Sequence, residues 1–125
     1  MTATNRTRLG HAGEHFARGH LEVLGWTFVA ANWQCRAGEI DLVMRDADEL
    51  VFVEVKLRRG ERSGSAEEAV SLRKAQRLMA AADYFLAQHP AFQNLIWRID
   101  LLAITLDASG AVSRTSHIEN AILSG

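Results

Sequence analysis

Apolar residues recur along this chain with two periods, and the switches between them mark its elements. Leu9, Ala12, Phe16, Ala17, Leu21 and Leu24 return at helical spacing and Gly25 follows as a stop, which predicts an amphipathic helix over residues 8–24. Trp26 to Gln34 is rich in aromatic and β-branched residues and reads as a strand. Glu39 to Arg45 alternates, and Leu50 to Leu57 does so with Val51, Val53 and Val55 on one face. The polar turn Asp46-Ala47-Asp48-Glu49 between them predicts a β-hairpin. Arg58 to Ala66 has the composition of a flexible loop. A helical stripe returns over Glu67 to Gln88, carried by Ala69, Leu72, Ala75, Leu78, Met79, Ala82, Phe85 and Leu86, and Pro90 lies just past its end. Leu95 to Leu106 is apolar enough for a buried strand, Asp107 to Gly110 is a turn, and Ala111 to Ile118 reads as an edge strand. The order α-β-β-β-α-β-β predicts an α/β domain, a mixed β-sheet flanked by helices.

A length of 125 residues suits one domain, with a core expected over about residues 8–121. A single cysteine, Cys35, excludes an internal disulfide framework and any all-cysteine metal site, and a lone thiol fits a reducing compartment. No apolar run approaches the ~20 residues needed to cross a bilayer. The first residues, Met1 to Arg6, have no apolar core behind their charges, so they do not read as a secretory signal. The expectation is a cytoplasmic protein without a membrane partner.

The formal net charge of −1 excludes a uniformly basic coat, but it conceals segregation. Residues 37–53 carry one basic and five acidic side chains, a net −4; residues 54–78 carry seven basic and four acidic, a net +3. The acidic stretch covers the second strand and the hairpin turn, and the basic stretch follows at once.

With the turn centred on Ala47 and Asp48, Asp46 pairs with Glu49 and, counting back, Asp41 lies opposite Glu54 and Glu39 opposite Lys56. Directly opposed Cβ atoms sit ~4.5–5.5 Å apart, and opposed like charges destabilise a sheet. Alternation puts Glu39 and Asp41 on one face with Phe52, Glu54 and Lys56; Ile40, Leu42, Met44, Val51, Val53 and Val55 line the other, which belongs against the core. A divalent cation would relieve the carboxylates. Mg²⁺ takes oxygen ligands, commonly one or two carboxylates plus substrate phosphate oxygens. Lys56 would stand beside it to hold or deprotonate an attacking water or to stabilise transition-state charge. The plain alternative is a solvated hairpin face with Glu39–Lys56 and Glu54–Lys56 ion pairs.

Gly38-Glu39-Ile40-Asp41-Leu42-Val43 followed by Phe52-Val53-Glu54-Val55-Lys56 resembles the D-(X)n-ExK pattern of restriction-endonuclease-like nucleases. The wider chain resembles the YraN-like family of uncharacterised bacterial proteins, related to archaeal Holliday-junction resolvases. Further matches are Gly13-Glu14 with Ala17, Asn32, Ala69-Val70 with Lys74 and Arg77, Arg98 and Asp100, and His117-Ile118 with Asn120-Ala121. The resemblance implies a restriction-endonuclease-like fold and a Mg²⁺- or Mn²⁺-dependent endonuclease acting on DNA, with branched or structured DNA as a candidate substrate. Asp41 and Glu54 look like its metal-binding carboxylates, Lys56 like its catalytic lysine, and Glu14 like the extra acidic residue of resolvase-like members. It leaves room for a homodimer. The chain departs from it at Gln34, where many relatives have Arg, and at Trp97-Arg98-Ile99-Asp100, where Arg-Phe-Asp is usual.

Arg36, Arg58, Arg59, Lys74 and Arg77 are the candidate phosphate contacts, the last two being three apart on one helical face. The alternative function is a non-catalytic nucleic-acid-binding or adaptor protein that keeps the nuclease fold. His11-Ala12-Gly13-Glu14-His15 spells the inverted zincin motif, but a third protein ligand is not evident and two exposed histidines are the plainer reading. Trp26 and Trp97 read as core residues rather than base-stacking platforms.

Overall fold

The computed structural model describes residues 2–60 and 71–122, with side chains described from Ala12 onward. The elements follow the expected order: α1 (Thr2–Val23), β1 (Thr27–Cys35), β2 (Gly38–Asp46), β3 (Glu49–Arg59), α2 (Leu72–Gln88), β4 (Ile96–Leu106) and β5 (Val112–Ile118). The strands form one sheet in chain order, with β3 and β4 parallel and the other neighbours antiparallel. The parallel pair needs a crossover, and α2 lies within it. No helix among the described residues is long and apolar enough to cross a membrane.

Each face of the sheet is covered by one helix. Ala17 and Leu21 of α1 pack on Leu42, Met44, Val51, Val53, Leu102 and Ile104. Leu78, Ala81, Ala82 and Phe85 of α2 pack on Ile40, Val43, Leu50, Phe52 and Ile99 on the other side. Central β3 is therefore buried on both faces from Leu50 to Glu54, which explains its nearly continuous apolar run. Phe85 anchors the second core, meeting Phe52 and Trp33 edge-on with ring centroids 5.6 and 5.2 Å away. Trp26 is buried in the α1-side core, and Trp97 is half-buried against Phe52. Both therefore act in packing, as expected.

From Leu42 to Asp46 the hairpin register is the expected one, with Asp46 facing Glu49, Met44 facing Val51 and Leu42 facing Val53; the pairing ends there, so the expected Asp41–Glu54 and Glu39–Lys56 pairs are not part of the ladder. The expected faces differ in two respects. Phe52 is not on an open surface with the carboxylates; it is 1% exposed beneath α2. Ile40 does not join Leu42 on the α1 side but packs with Val43 and Phe52 on the α2 side. The change of face at Ile40 coincides with an irregularity on the neighbouring strand. Ala31 pairs with Leu42 and Trp33 with Ile40, so Asn32 sits across from Asp41, and its φ is +53°. One residue in the left-handed region interrupts the regular pleat where Asp41 needs to turn. Asparagine tolerates that conformation far better than a β-branched residue does. Asn32→Val is expected to cost about 1–3 kcal/mol and Asn32→Gly to leave stability nearly unchanged, as read by urea unfolding.

The second helix also starts differently from its apolar stripe. Ser71 has extended backbone and its hydroxyl accepts a hydrogen bond from the Lys74 amide at 3.2 Å, so α2 begins at Leu72 rather than running unbroken from Glu67. A serine that can satisfy an otherwise unpaired amide favours capping over continuing the helix. Residues 61–70, which include most of the expected loop and the first turn of the expected helix, lie outside the described residues. At the other end α1 extends back to Thr2, ahead of the apolar stripe.

Candidate metal centre

The hairpin ladder stops where the carboxylates begin. Continued by one more step, it would give the Val55 amide to the Ile40 carbonyl; instead Val55 N–H donates to Asp41 Oδ2 at 2.9 Å. The side chain replaces a ladder acceptor. Helix α1 crosses this point closely. A Cβ on Gly13 would stand 3.8 Å from the Val55 and Leu57 side chains, and the next residue, Glu14, is buried.

The result is a convergence of acids from two elements, α1 and β2. One carboxylate oxygen from each of Glu14, Glu39 and Asp41 lies within 4.8 Å of the others. Burial, the charge of Glu54 and the charges of Glu14 and Glu39 raise the Asp41 pKa to about 8, against the lowering effect of the Val55 hydrogen bond. Glu54 is buried on β3 and is held by Lys74 of α2, with Nζ 2.6 Å from Oε1. The solvated face with a Glu54–Lys56 pair is therefore not what forms. Burial works against the Lys74 charge, but the Glu54 hydrogen bond and the charges of Glu54 and Asp41 outweigh it and raise its pKa. Lys74 thus stays protonated.

Lys56 shares the strand parity of Glu54, is half-buried, and makes no ion pair or hydrogen bond among the described residues. Arg77 lies beside the β1–β2 turn: its Cβ is 3.9 Å from the place a Gly38 Cβ would take. Arg36 in that turn and Arg59 at the end of β3 are exposed, and Arg58 is half-buried.

Among the sequence candidates, Asp41 and Glu14 are thus brought together, Glu54 stands beside them paired to Lys74, and Lys56 lies two residues along the strand. Glu39 is the residue that sequence reasoning assigned elsewhere. Its place on Asp41's face was legible; its turn toward Glu14 was not, since that depends on the position of α1. The histidine motif does not assemble among the described residues: the group containing Glu14 holds no histidine, His15 is exposed, and the His11 side chain lies outside those described.

A set of hard carboxylate oxygens, one of them with its pKa raised by crowding, fits a hard divalent cation such as Mg²⁺ or Mn²⁺. Fold and site together give an α/β domain, a five-stranded mixed sheet consistent with a nuclease-like fold, with an acidic cluster where its hairpin ladder ends. The model of the uncharacterised protein family UPF0102 matches residues 13–104, a span that contains every residue of this centre, and the chain belongs to that family. It is 45% identical to a UPF0102 protein of Roseiflexus castenholzii over 117 residues, 94% of either chain. It is 42% identical to one of Chloroflexus aurantiacus over 95% of this chain and 96% of that one, and 46% identical to one of Frankia casuarinae over 90% and 94%.

Proposed function

We propose that this protein is a divalent-metal-dependent endonuclease that hydrolyses phosphodiester bonds in DNA, at branched or unpaired structures. The observation that carries the reading is the meeting of Glu14, Glu39 and Asp41 beside Glu54, with Asp41's pKa raised to about 8 by burial and by its acidic neighbours. Such crowding is costly unless a cation shares it. Asp41, Glu14 and Glu39 would hold that cation, which when bound supplies Lewis-acid polarisation of the phosphoryl oxygens.

The remaining work falls to the chain's own side chains. The Val55 amide fixes Asp41's orientation through Oδ2. Lys74, pinned to Glu54, keeps that carboxylate in place and neutralised. Lys56, with no partner among the described residues, has its ammonium free to orient the attacking water and to offset charge developing on the phosphate. Arg36 and Arg77, on one flank of the centre, add the positive charge that a DNA strand needs to approach an acidic pocket.

The test is incubation of the protein with Mn²⁺ and branched, single-stranded and duplex DNA, beside Asp41→Ala and Lys56→Ala. Cleavage by the wild type and a loss of about a hundredfold or more in both variants is expected. Binding without cleavage by the wild type would replace this reading with that of a non-catalytic DNA-binding protein. Cleavage surviving in both variants would move the chemistry away from this centre.

A further inference from the structure

We propose that the pocket between α1 and β1 is a second phosphate subsite, which receives the DNA phosphate next to the one cleaved; this rests on the nuclease reading above. The pocket measures about 230 Å³ and is lined by Glu14, His15, Arg18, Phe28, Asn32 and Leu42. Two of these residues join it to the acidic centre. Glu14 belongs to both, and Asn32 sits across the ladder from Asp41.

Arg18 is already positioned for an anion. Its guanidinium carbon lies 3.7 Å from the centroid of the Phe28 ring, and its Nε donates to Glu22 at 3.3 Å. Stacking on an aromatic face and one hydrogen bond at Nε fix the plane of the group. Neither Nη makes a hydrogen bond among the described residues, so that edge of the fork is open to the oxygens of a phosphate. The pairing with Glu22 is a solvent-exposed contact along one helix that occupies Nε alone. His15 adds two ring nitrogens at the exposed rim, and the half-buried Phe28 offers apolar surface to a sugar.

Charge balance gives the subsite its purpose. Three converging carboxylates repel a phosphodiester strand, so the strand needs cations on either side of them. On the α2 side Lys74 is held by Glu54, and Arg36 and Arg77 supply the positive charge. On the α1 side Arg18 is the cation that lines the pocket adjoining the centre. The volume is below the range of a typical organic-ligand cavity and suits one sugar–phosphate unit rather than a base pair.

The experiment measures binding of the full chain to a short single-stranded DNA in Ca²⁺, with each phosphate replaced in turn by a neutral methylphosphonate. The wild type should lose affinity at two adjacent positions. Arg18→Gln should bind about tenfold more weakly, with a salt slope shallower by about 0.7, and should lose its sensitivity at only one of the two positions. Its Mn²⁺ affinity should match the wild type, and its melting temperature should fall by no more than a few degrees. An Arg18→Gln protein with the wild-type affinity and methylphosphonate profile would overturn the subsite and leave the nuclease reading intact. A loss spread evenly over all positions would overturn it too, making Arg18 a general electrostatic contact. A wild type that binds no DNA in Ca²⁺ would overturn both.

Discussion

Asp41→Asn is expected to raise the melting temperature of the metal-free protein at pH 8 while removing its metal-dependent activity. In the folded chain Asp41 releases its proton only near pH 8, because burial and the charges of Glu54, Glu14 and Glu39 oppose its ionisation; unfolded, it does so near 3.8. Between those values the folded state holds a proton that the unfolded state has lost. Stability from this group is therefore full below pH 3.8 and falls as pH rises toward 8. Asparagine keeps an oxygen for the Val55 amide and brings N–H donors toward neighbouring carboxylates, so it removes the penalty without breaking the hydrogen bond. A gain of roughly 3–6 °C at pH 8, shrinking toward pH 5, is the expected thermal-shift result. With Mn²⁺ the order should reverse: the wild type gains stability from the cation and Asp41→Asn gains far less. Cleavage by the variant should fall by about a thousandfold, corresponding to the several kcal/mol that metal polarisation contributes.

The second large effect lies away from the carboxylates. Asp100→Ala should destabilise the fold by about 3–5 kcal/mol, a fall of roughly 10–25 °C in Tm. Asp100 is fully buried on β4 and accepts from Arg98 Nε at 3.0 Å, His117 Nε2 at 2.8 Å and the Asn120 amide at 2.9 Å. Burial alone would raise its pKa, but His117, Arg98 and the Asn120 amide together outweigh burial and hold it below the usual value. Arg98 also reaches Glu49 and Asp46 at the hairpin turn and lies over Trp26, which meets His117 edge-on. One carboxylate thus ties β4, β5 and the hairpin together, and alanine strands its donors inside the protein. The contribution is present above pH 3.8 and is lost as pH falls through the lower folded value, an acid-side window separate from that of Asp41. Because Arg98 and Asp100 share one network, adding Arg98→Met to Asp100→Ala should cost less than the sum of the two single changes.

Much of this fold could be read from periodicity, since the hairpin turn fixes its own register. Two apolar runs and one short polar turn suffice to put Leu42 opposite Val53, and so to leave Asp41 close enough to Glu54 to feel its charge. What periodicity cannot give is which helix covers which face. The burial of Phe52 depends on α2 crossing above it, and strand alternation is blind to a helix thirty or so residues further along. The left-handed Asn32 and the change of face at Ile40 are equally silent, because an asparagine tolerates a positive φ without prescribing one and its φ here is a tertiary choice. The same holds within the site. Asp41, Glu54 and Lys56 stand out through spacing and resemblance, whereas Glu39's turn toward Glu14 and Lys74's capture of Glu54 require the helices in place. Arg98, Asp100, His117 and Asn120 were visible only as matches to a family pattern; their physical meaning is the buried network around Asp100.

The most direct test of the acidic centre is a crystal of the full chain soaked in Mn²⁺, with the ion located by its anomalous scattering. One peak bonded by Asp41 and Glu14, absent in crystals of Asp41→Asn, is the predicted result. A peak on His15 in place of the carboxylates, or none there at saturating Mn²⁺, would contradict a metal centre built on Asp41.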